Sequence, residues 1–260
     1  MSNDPGTSRG RRLAAWLGAA WGAARSACRF RSQRKWVEQS KFLHSWSREP
    51  FVNTIANENG DGDFVIGVVG DSLSLIGNPP ENYRSGPAPN IAASLFMNLK
   101  QARRVTLVND AKWGSWSKDW QPEHDSALLT HSRKVFAASG VRFVSICLGT
   151  NDANFDVPPG SYKENLTHIV KTLQADGFEV IVNGPPSEDR SRHEAAVDLL
   201  EAYNKLIPNI CDQSGAHAGD LESIRLFELQ KPFVDGIHPS ETGAQLLGEL
   251  WGKAWAKAVK

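Results

Sequence analysis

Four short apolar runs, each cut off by a cluster of polar residues, constrain this chain more than any other feature. They lie at residues 64–69 (FVIGVV), 104–108 (RVTLV), 141–148 (VRFVSICL) and 178–182 (FEVIV). Runs of this length, nearly continuous in Val, Ile and Phe, read as parallel strands buried on both faces. A weaker fifth candidate is 223–227 (SIRLF). Segments with helical spacing fall between them, at 91–101, 126–138, 162–175 and 194–211. A last helix is expected from about Ser240, with Ala244, Leu247, Trp251, Trp255 and Ala258 on one face. Gly140 and Gly177 stand where helix C-terminal caps belong. Strands alternating with helices predict an α/β fold, a mostly parallel sheet between two helical layers. In such sheets the working residues gather beyond the carboxyl ends of the strands.

Those ends carry distinctive residues. Gly70-Asp71-Ser72-Leu73-Ser74 follows the first run, and Asn109-Asp110-Ala111-Lys112-Trp113-Gly114 the second. Gly149-Thr150-Asn151-Asp152 follows the third, and Asp235-Gly236-Ile237-His238-Pro239 precedes the last helix. Each cluster alone reads as an ordinary turn or helix start. Four at one sheet edge make a coherent chemistry. A serine hydroxyl is a weak nucleophile until a base takes its proton, and His238 can do that for Ser72. Asp235, three residues before the histidine, can hold the ring and stabilise the imidazolium. The tetrahedral oxyanion formed on an ester needs donors, and the Ser72 amide, the Gly114 amide and the Asn151 side chain are candidates. A histidine base also predicts a rate that falls once the ring is protonated.

In this order the four clusters resemble the conserved blocks of the SGNH (GDSL-like) esterase and lipase superfamily. The serine, glycine, asparagine and histidine of that name match Ser72, Gly114, Asn151 and His238. The resemblance spans roughly residues 64–260, with GDSL, GTND and DGIHP all present. It implies a flavodoxin-like three-layer α/β/α sandwich, five strands in the order 2-1-3-4-5, an aspartate at Asp235, and no metal or organic cofactor. The second block departs: Trp113 stands where the family often has a small residue, which bears on the shape of the acyl pocket.

Trp113, Trp116 and Trp120 crowd that second loop and are candidate substrate contacts, since aromatic faces stack on sugar rings; each could instead pack in the core. The favoured substrate is therefore a short-chain acyl ester, a carbohydrate O-acetyl group first, on a small molecule or a polysaccharide. Lipase, lysophospholipase or thioesterase activity on the same site is the alternative, as is a non-catalytic carbohydrate-binding module.

A formal net charge of zero gives no global electrostatic case for a nucleic-acid partner. The zero hides an asymmetry. Residues 1–62 hold ten Lys/Arg against five Asp/Glu and are assigned to an N-terminal extension, leaving 63–260 as the hydrolase domain. Within the extension, 13–24 (LAAWLGAAWGAA) has the length of a signal-peptide core, but a basic stretch follows it. A membrane-surface helix anchored by Trp16 and Trp21, and a plain unordered or packed tail, are the other readings, so location stays open. Cys28, Cys147 and Cys211 spell neither a disulfide framework nor a metal site. The stretch 57–62 (NENGDG) opens like a calcium loop, but Val68 falls where a bidentate acid is required, so a solvated turn is expected. Asn165-Leu166-Thr167 spells a glycosylation sequon inside a predicted helix.

Overall fold

The described residues of the computed structural model, 49–75, 86–124 and 126–259, form a six-stranded sheet with helices on both faces. In chain order the strands are β1 (Phe51–Ala56), β2 (Asp63–Gly70), β3 (Arg104–Asn109), β4 (Phe143–Cys147), β5 (Glu179–Asn183) and β6 (His217–Ala218). Their lateral order is β1-β3-β2-β4-β5-β6. β2 to β6 are parallel, and β1 alone runs antiparallel, pairing Phe51 with Asn109 and Ala56 with Arg104. The expected order 2-1-3-4-5 is thus present, with one antiparallel edge strand added outside it.

Two expectations are corrected. Residues 223–227 are not a strand: they open a helix, α6 (Ser223–Gln230), whose buried residues Ser223 and Phe227 lie one turn apart. The fifth parallel strand is the two-residue β6, too short to show a periodicity. The hydrolase fold also starts before residue 63, because β1 belongs to its sheet. The signal-like segment 13–24, Cys28 and the rest of the extension up to residue 48 lie outside the described residues.

The remaining helices are α1 (Ala88–Lys100), α2 (Leu128–Ser139), α3 (Thr150–Asn154), α4 (Pro159–Ala175), α5 (Arg190–Ser214) and α7 (Glu241–Ala258). Alternate strand residues feed two cores. Val69, Val108, Val144, Ile146 and Val182 pack with Phe136 of α2, Leu166 and Leu173 of α4, and Leu200 and Ile207 of α5. Ile66, Val68, Leu107, Phe143 and Ile181 face the other way, onto Phe96 of α1 and Trp251 and Trp255 of α7. Gly140 ends α2 in the left-handed region, as expected of a cap. Residues 57–62 form a turn, with Asn57 N–H donating to Arg103 C=O at 2.8 Å and Asp61 N–H to Gln101 C=O at 2.7 Å. The sequon side chain is engaged: Asn165 Nδ2 donates to Ser117 Oγ at 3.0 Å. Cys147 and Cys211 are both buried and free.

The α1–α7 seam is set by small residues. A Cβ at Gly248 would fall 2.5 Å from Ile91 Cβ and 2.7 Å from the Ala88 carbonyl oxygen, so the two backbones touch there. The α7 face above it carries Trp251 and Trp255, both with no exposed surface. Ser240 caps α7, its hydroxyl accepting from Gly243 N–H at 3.2 Å. A methyl added at Gly248 has nowhere to go, whereas a Cβ at Gly160 in α4 meets no atom within 4 Å. Opposite signs are therefore expected from the same substitution. Urea unfolding of Gly248→Ala should show a loss of about 1–3 kcal/mol from overpacking, and Gly160→Ala a gain of about 0.4–1 kcal/mol from reduced unfolded-chain entropy. Equal stability of the two variants would contradict the seam.

Candidate active site

The carboxyl end of β2 places the first element. A Cβ at Gly70 would sit 2.4 Å from Ser74 Oγ, so only glycine lets the short turn Ser72–Ser74 fold back over the strand. Asp71 caps that turn, its Oδ1 accepting from Leu73 N–H at 2.9 Å. The Asp71 side chain is fully buried, and desolvation pushes its carboxyl up to about 7 against the pull of that hydrogen bond.

The second loop is tied to this turn. Asn109 Nδ2 donates to Ser74 C=O at 2.8 Å, and Lys112 N–H to Gly70 C=O at 2.9 Å. Ser115 Oγ donates to the same Gly70 carbonyl at 3.1 Å. Gly114 lies between these ties at φ +69°, a left-handed conformation that glycine adopts without strain. The third block follows β4, which pairs Cys147 with Gly70 and so starts its loop beside the first. Asn151 Nδ2 donates to Ser115 C=O at 2.9 Å, bringing the asparagine amide to the residue after Gly114. Asp152 accepts from Ser117 N–H at 3.0 Å and from the Ser117 hydroxyl at 2.5 Å. Burial is the largest influence on Asp152 and raises its carboxyl to about 6.

The fourth block descends on the first from the far end of the chain. The loop 233–239 is closed by a bridge between Phe233 and Pro239 and by Val234 N–H donating to His238 C=O at 3.0 Å. Asp235 Oδ1 accepts from the amides of Ile237 and His238 at 3.0 and 2.8 Å. Its Oδ2 is 2.8 Å from His238 Nδ1, and His238 Nε2 is 3.0 Å from Ser72 Oγ. Partial burial acts to raise the Asp235 carboxyl, but the ring and the two amides together outweigh it and bring it down to about 2. The three side chains read from the sequence thus meet in one hydrogen-bonded line, across 166 residues of chain.

The three tryptophans separate. Trp113 lies against the histidine, ring centroids 5.4 Å apart. Trp116 packs on Phe155 at 4.9 Å, with Lys118 Nζ 5.9 Å from its ring centre. Trp120 is corrected as a substrate contact: it has no exposed surface, and its Nε1 donates to Ser115 Oγ at 3.1 Å, supporting the loop from inside. Sequence reasoning passed over the segment that leaves β5, residues 184–192. Here Pro185 lies against Gly149, Asp189 N–H donates to Gly236 C=O at 2.8 Å, and Glu188 is buried beside Asn154. Its Gly-Pro-Pro start signals only a turn, so nothing short of the fold reveals it.

The GDSL-like lipase/acylhydrolase family model matches residues 68–246, most of the chain and all four blocks. Among curated proteins no sequence matches. Solved structures resemble the chain at low identity. TesA is 20% identical with a TM-score of 0.57, covering 75% of this chain and 99% of its own. The lipase/acylhydrolase from Enterococcus faecalis is 20% identical, TM-score 0.56, covering 76% and 97%. A catalytic mutant of Axe2, an acetylxylan esterase from Geobacillus stearothermophilus, is 16% identical, TM-score 0.58, covering 78% and 96%. At these identities the structural likeness speaks for the fold, a three-layer sandwich. The family assignment rests on the sequence blocks themselves: this chain belongs to the GDSL-like lipase/acylhydrolase family and is an ester hydrolase.

Proposed function

We propose that Ser72, His238 and Asp235 hydrolyse short-chain acyl esters through an acyl-enzyme, with O-acetyl groups on a carbohydrate as the substrate class. The observation that carries this reading is the unbroken line from Asp235 Oδ2 through the imidazole to Ser72 Oγ, at 2.8 and 3.0 Å. His238 Nε2 takes the hydroxyl proton as Oγ bonds to the ester carbonyl carbon. Negative charge then forms on the carbonyl oxygen, where the amides of Ser72 and Gly114 and one N–H of Asn151 Nδ2 act as donors. The other Asn151 N–H is taken by Ser115, which fixes the amide plane. Collapse returns the proton to the departing alcohol oxygen and leaves Ser72 acylated. A water, deprotonated by the same imidazole, repeats the sequence and releases the carboxylic acid. Asp235 stays ionised throughout, because its carboxyl titrates at about 2.

Two observations favour a small acyl group on a sugar. The Trp113 indole fills space beside His238 and next to Gly114, limiting the room for a long chain. The partly exposed Trp113 indole suits the apolar face of a sugar ring. Axe2, described as an acetylxylan esterase, carries such a substrate class on this fold.

Ser72→Ala should lower p-nitrophenyl acetate hydrolysis by a factor on the order of 10⁴–10⁶, and Asn151→Ala by about 10²–10³. Wild-type turnover in the serine variant would remove the nucleophile. Acyl length is read separately. The kcat/KM for p-nitrophenyl acetate should exceed that for the octanoate, and Trp113→Ala should narrow the gap. A preference for octanoate in the parent chain would overturn the short-acyl reading.

A further inference from the structure

Between β5 and α5 runs a segment that touches two of the site's four blocks, the one after β4 and the one before α7. Pro185 is packed so closely on Gly149 that a Cβ there would come within 2.8 Å of Pro185 Cγ. Glu188 Oε1 accepts from Asn154 Nδ2 at 2.6 Å; Asn154 ends α3, the helical turn that carries Asn151. The next residue, Asp189, donates its N–H to Gly236 C=O at 2.8 Å, and Arg192 Nη1 donates to Asp235 C=O at 3.1 Å. Gly236 lies at φ +96°, and a Cβ there would sit 3.2 Å from Arg192 Cδ and 3.4 Å from Asp189 Cβ. The segment is pinned from behind as well. Gly184 N–H donates to Asp220 C=O at 2.7 Å, and Asn204 Nδ2 to Pro185 C=O at 2.9 Å.

The consequence is geometric. Asn151 and His238 come from loops separated by some eighty residues, and deprotonating Ser72 while stabilising the oxyanion requires both at a fixed distance from Ser72 Oγ. Neighbouring strands alone do not fix that distance, because the 233–239 loop follows α6 and is not the direct extension of a strand. One short stretch bonded to both sides does. We propose that Glu188 is a positioning residue: its buried carboxyl ties the turn that carries Asn151 to the segment 184–192, which holds the loop of Asp235 and His238 through the Asp189 amide and Arg192. This rests on the roles proposed above for Ser72, His238 and Asn151.

The chemistry of Glu188 agrees with a fixed tie rather than a mobile acid. It is 1% exposed, and among the described residues its second oxygen has no hydrogen-bond partner, with His193 Nδ1 3.6 Å away. Desolvation first, then the charges of Asp71 and Asp235, push its carboxyl up to about 8, although the Asn154 bond pulls the other way. Burial thus favours its neutral form, whose shape and acceptor oxygen glutamine reproduces. His193, at φ −134° and ψ 41°, breaks the helical path and separates the turn 189–192 from the rest of α5.

The test uses the full chain with p-nitrophenyl acetate and four variants: Glu188→Gln, Glu188→Ala, Asn154→Ala and the double alanine variant. Expected is a kcat for Glu188→Gln within about threefold of the parent. Each single alanine variant should lose about 10- to 100-fold in kcat with KM changed less than about threefold, as displacement of catalytic groups by a fraction of an ångström would do. The double variant should be no slower than the slower single one, because both remove the same bond. An unchanged kcat in Glu188→Ala, a glutamine variant as slow as the alanine one, or losses that multiply would each overturn the proposal. Should Glu188→Ala not fold, Asn154→Ala decides, since residue 154 is exposed and its truncation leaves the core intact. Ser72→Ala in the same assay separates the two levels. Activity that persists there discards the nucleophile and the tie with it, whereas an inactive Ser72→Ala beside a fully active Glu188→Ala discards the tie alone.

Discussion

A 3.0 Å contact between the Ser72 hydroxyl and His238 Nε2 is what the rest of the structure exists to hold. Nothing local brings these residues together. Ser72 is placed by the sheet: β2 lies between β3 and β4, and its last residue, Gly70, pairs with Cys147 of β4. His238 is placed by a helix. The loop that carries it leads into α7, whose Trp251 and Trp255 are sealed against the sheet and whose glycine face fits into α1. Ser240 N–H donates back to Pro232 C=O at 2.7 Å, closing the loop at its base. Burial of two tryptophans thus anchors the helix that the His238 loop leads into.

Electrostatics divides the carboxyls of the site into two kinds. Asp71, Asp152 and Glu188 are buried with few donors, and desolvation raises them to about 7, 6 and 8. Asp235, half exposed and served by two amides and the ring, falls to about 2. The raised acids resist ionising while Asp235 is always charged, so negative charge is concentrated where an imidazolium would form. The same residue types take opposite roles because one has donors and the others have burial.

Much of this was legible in the chain. Runs such as FVIGVV at 64–69 are strands in the fold because continuous apolar character suits a sheet covered on both faces. The polar clusters after them met because parallel strands all end at one edge. What failed had physical reasons. SIRLF at 223–227 alternates over so short a window that one turn of helix, burying Ser223 and Phe227, fits equally well. β1 is exposed along most of its length, so its β-branched residues carried no inward face to detect. Trp120 was grouped with Trp113 by proximity in sequence, but the short helical turn Ser117–Trp120 buries it. Glu188 carried no motif; only its neighbours in space give it a role.

Covalent labelling tests the central contact most directly. The full chain treated with a small fluorophosphonate at neutral pH should take up one equivalent, and peptide mass spectrometry should find it on Ser72. His238→Ala should slow the uptake strongly while leaving the fold unchanged by circular dichroism. Label on another serine, or uptake at the parent rate without the imidazole, would contradict an alcohol activated by this histidine.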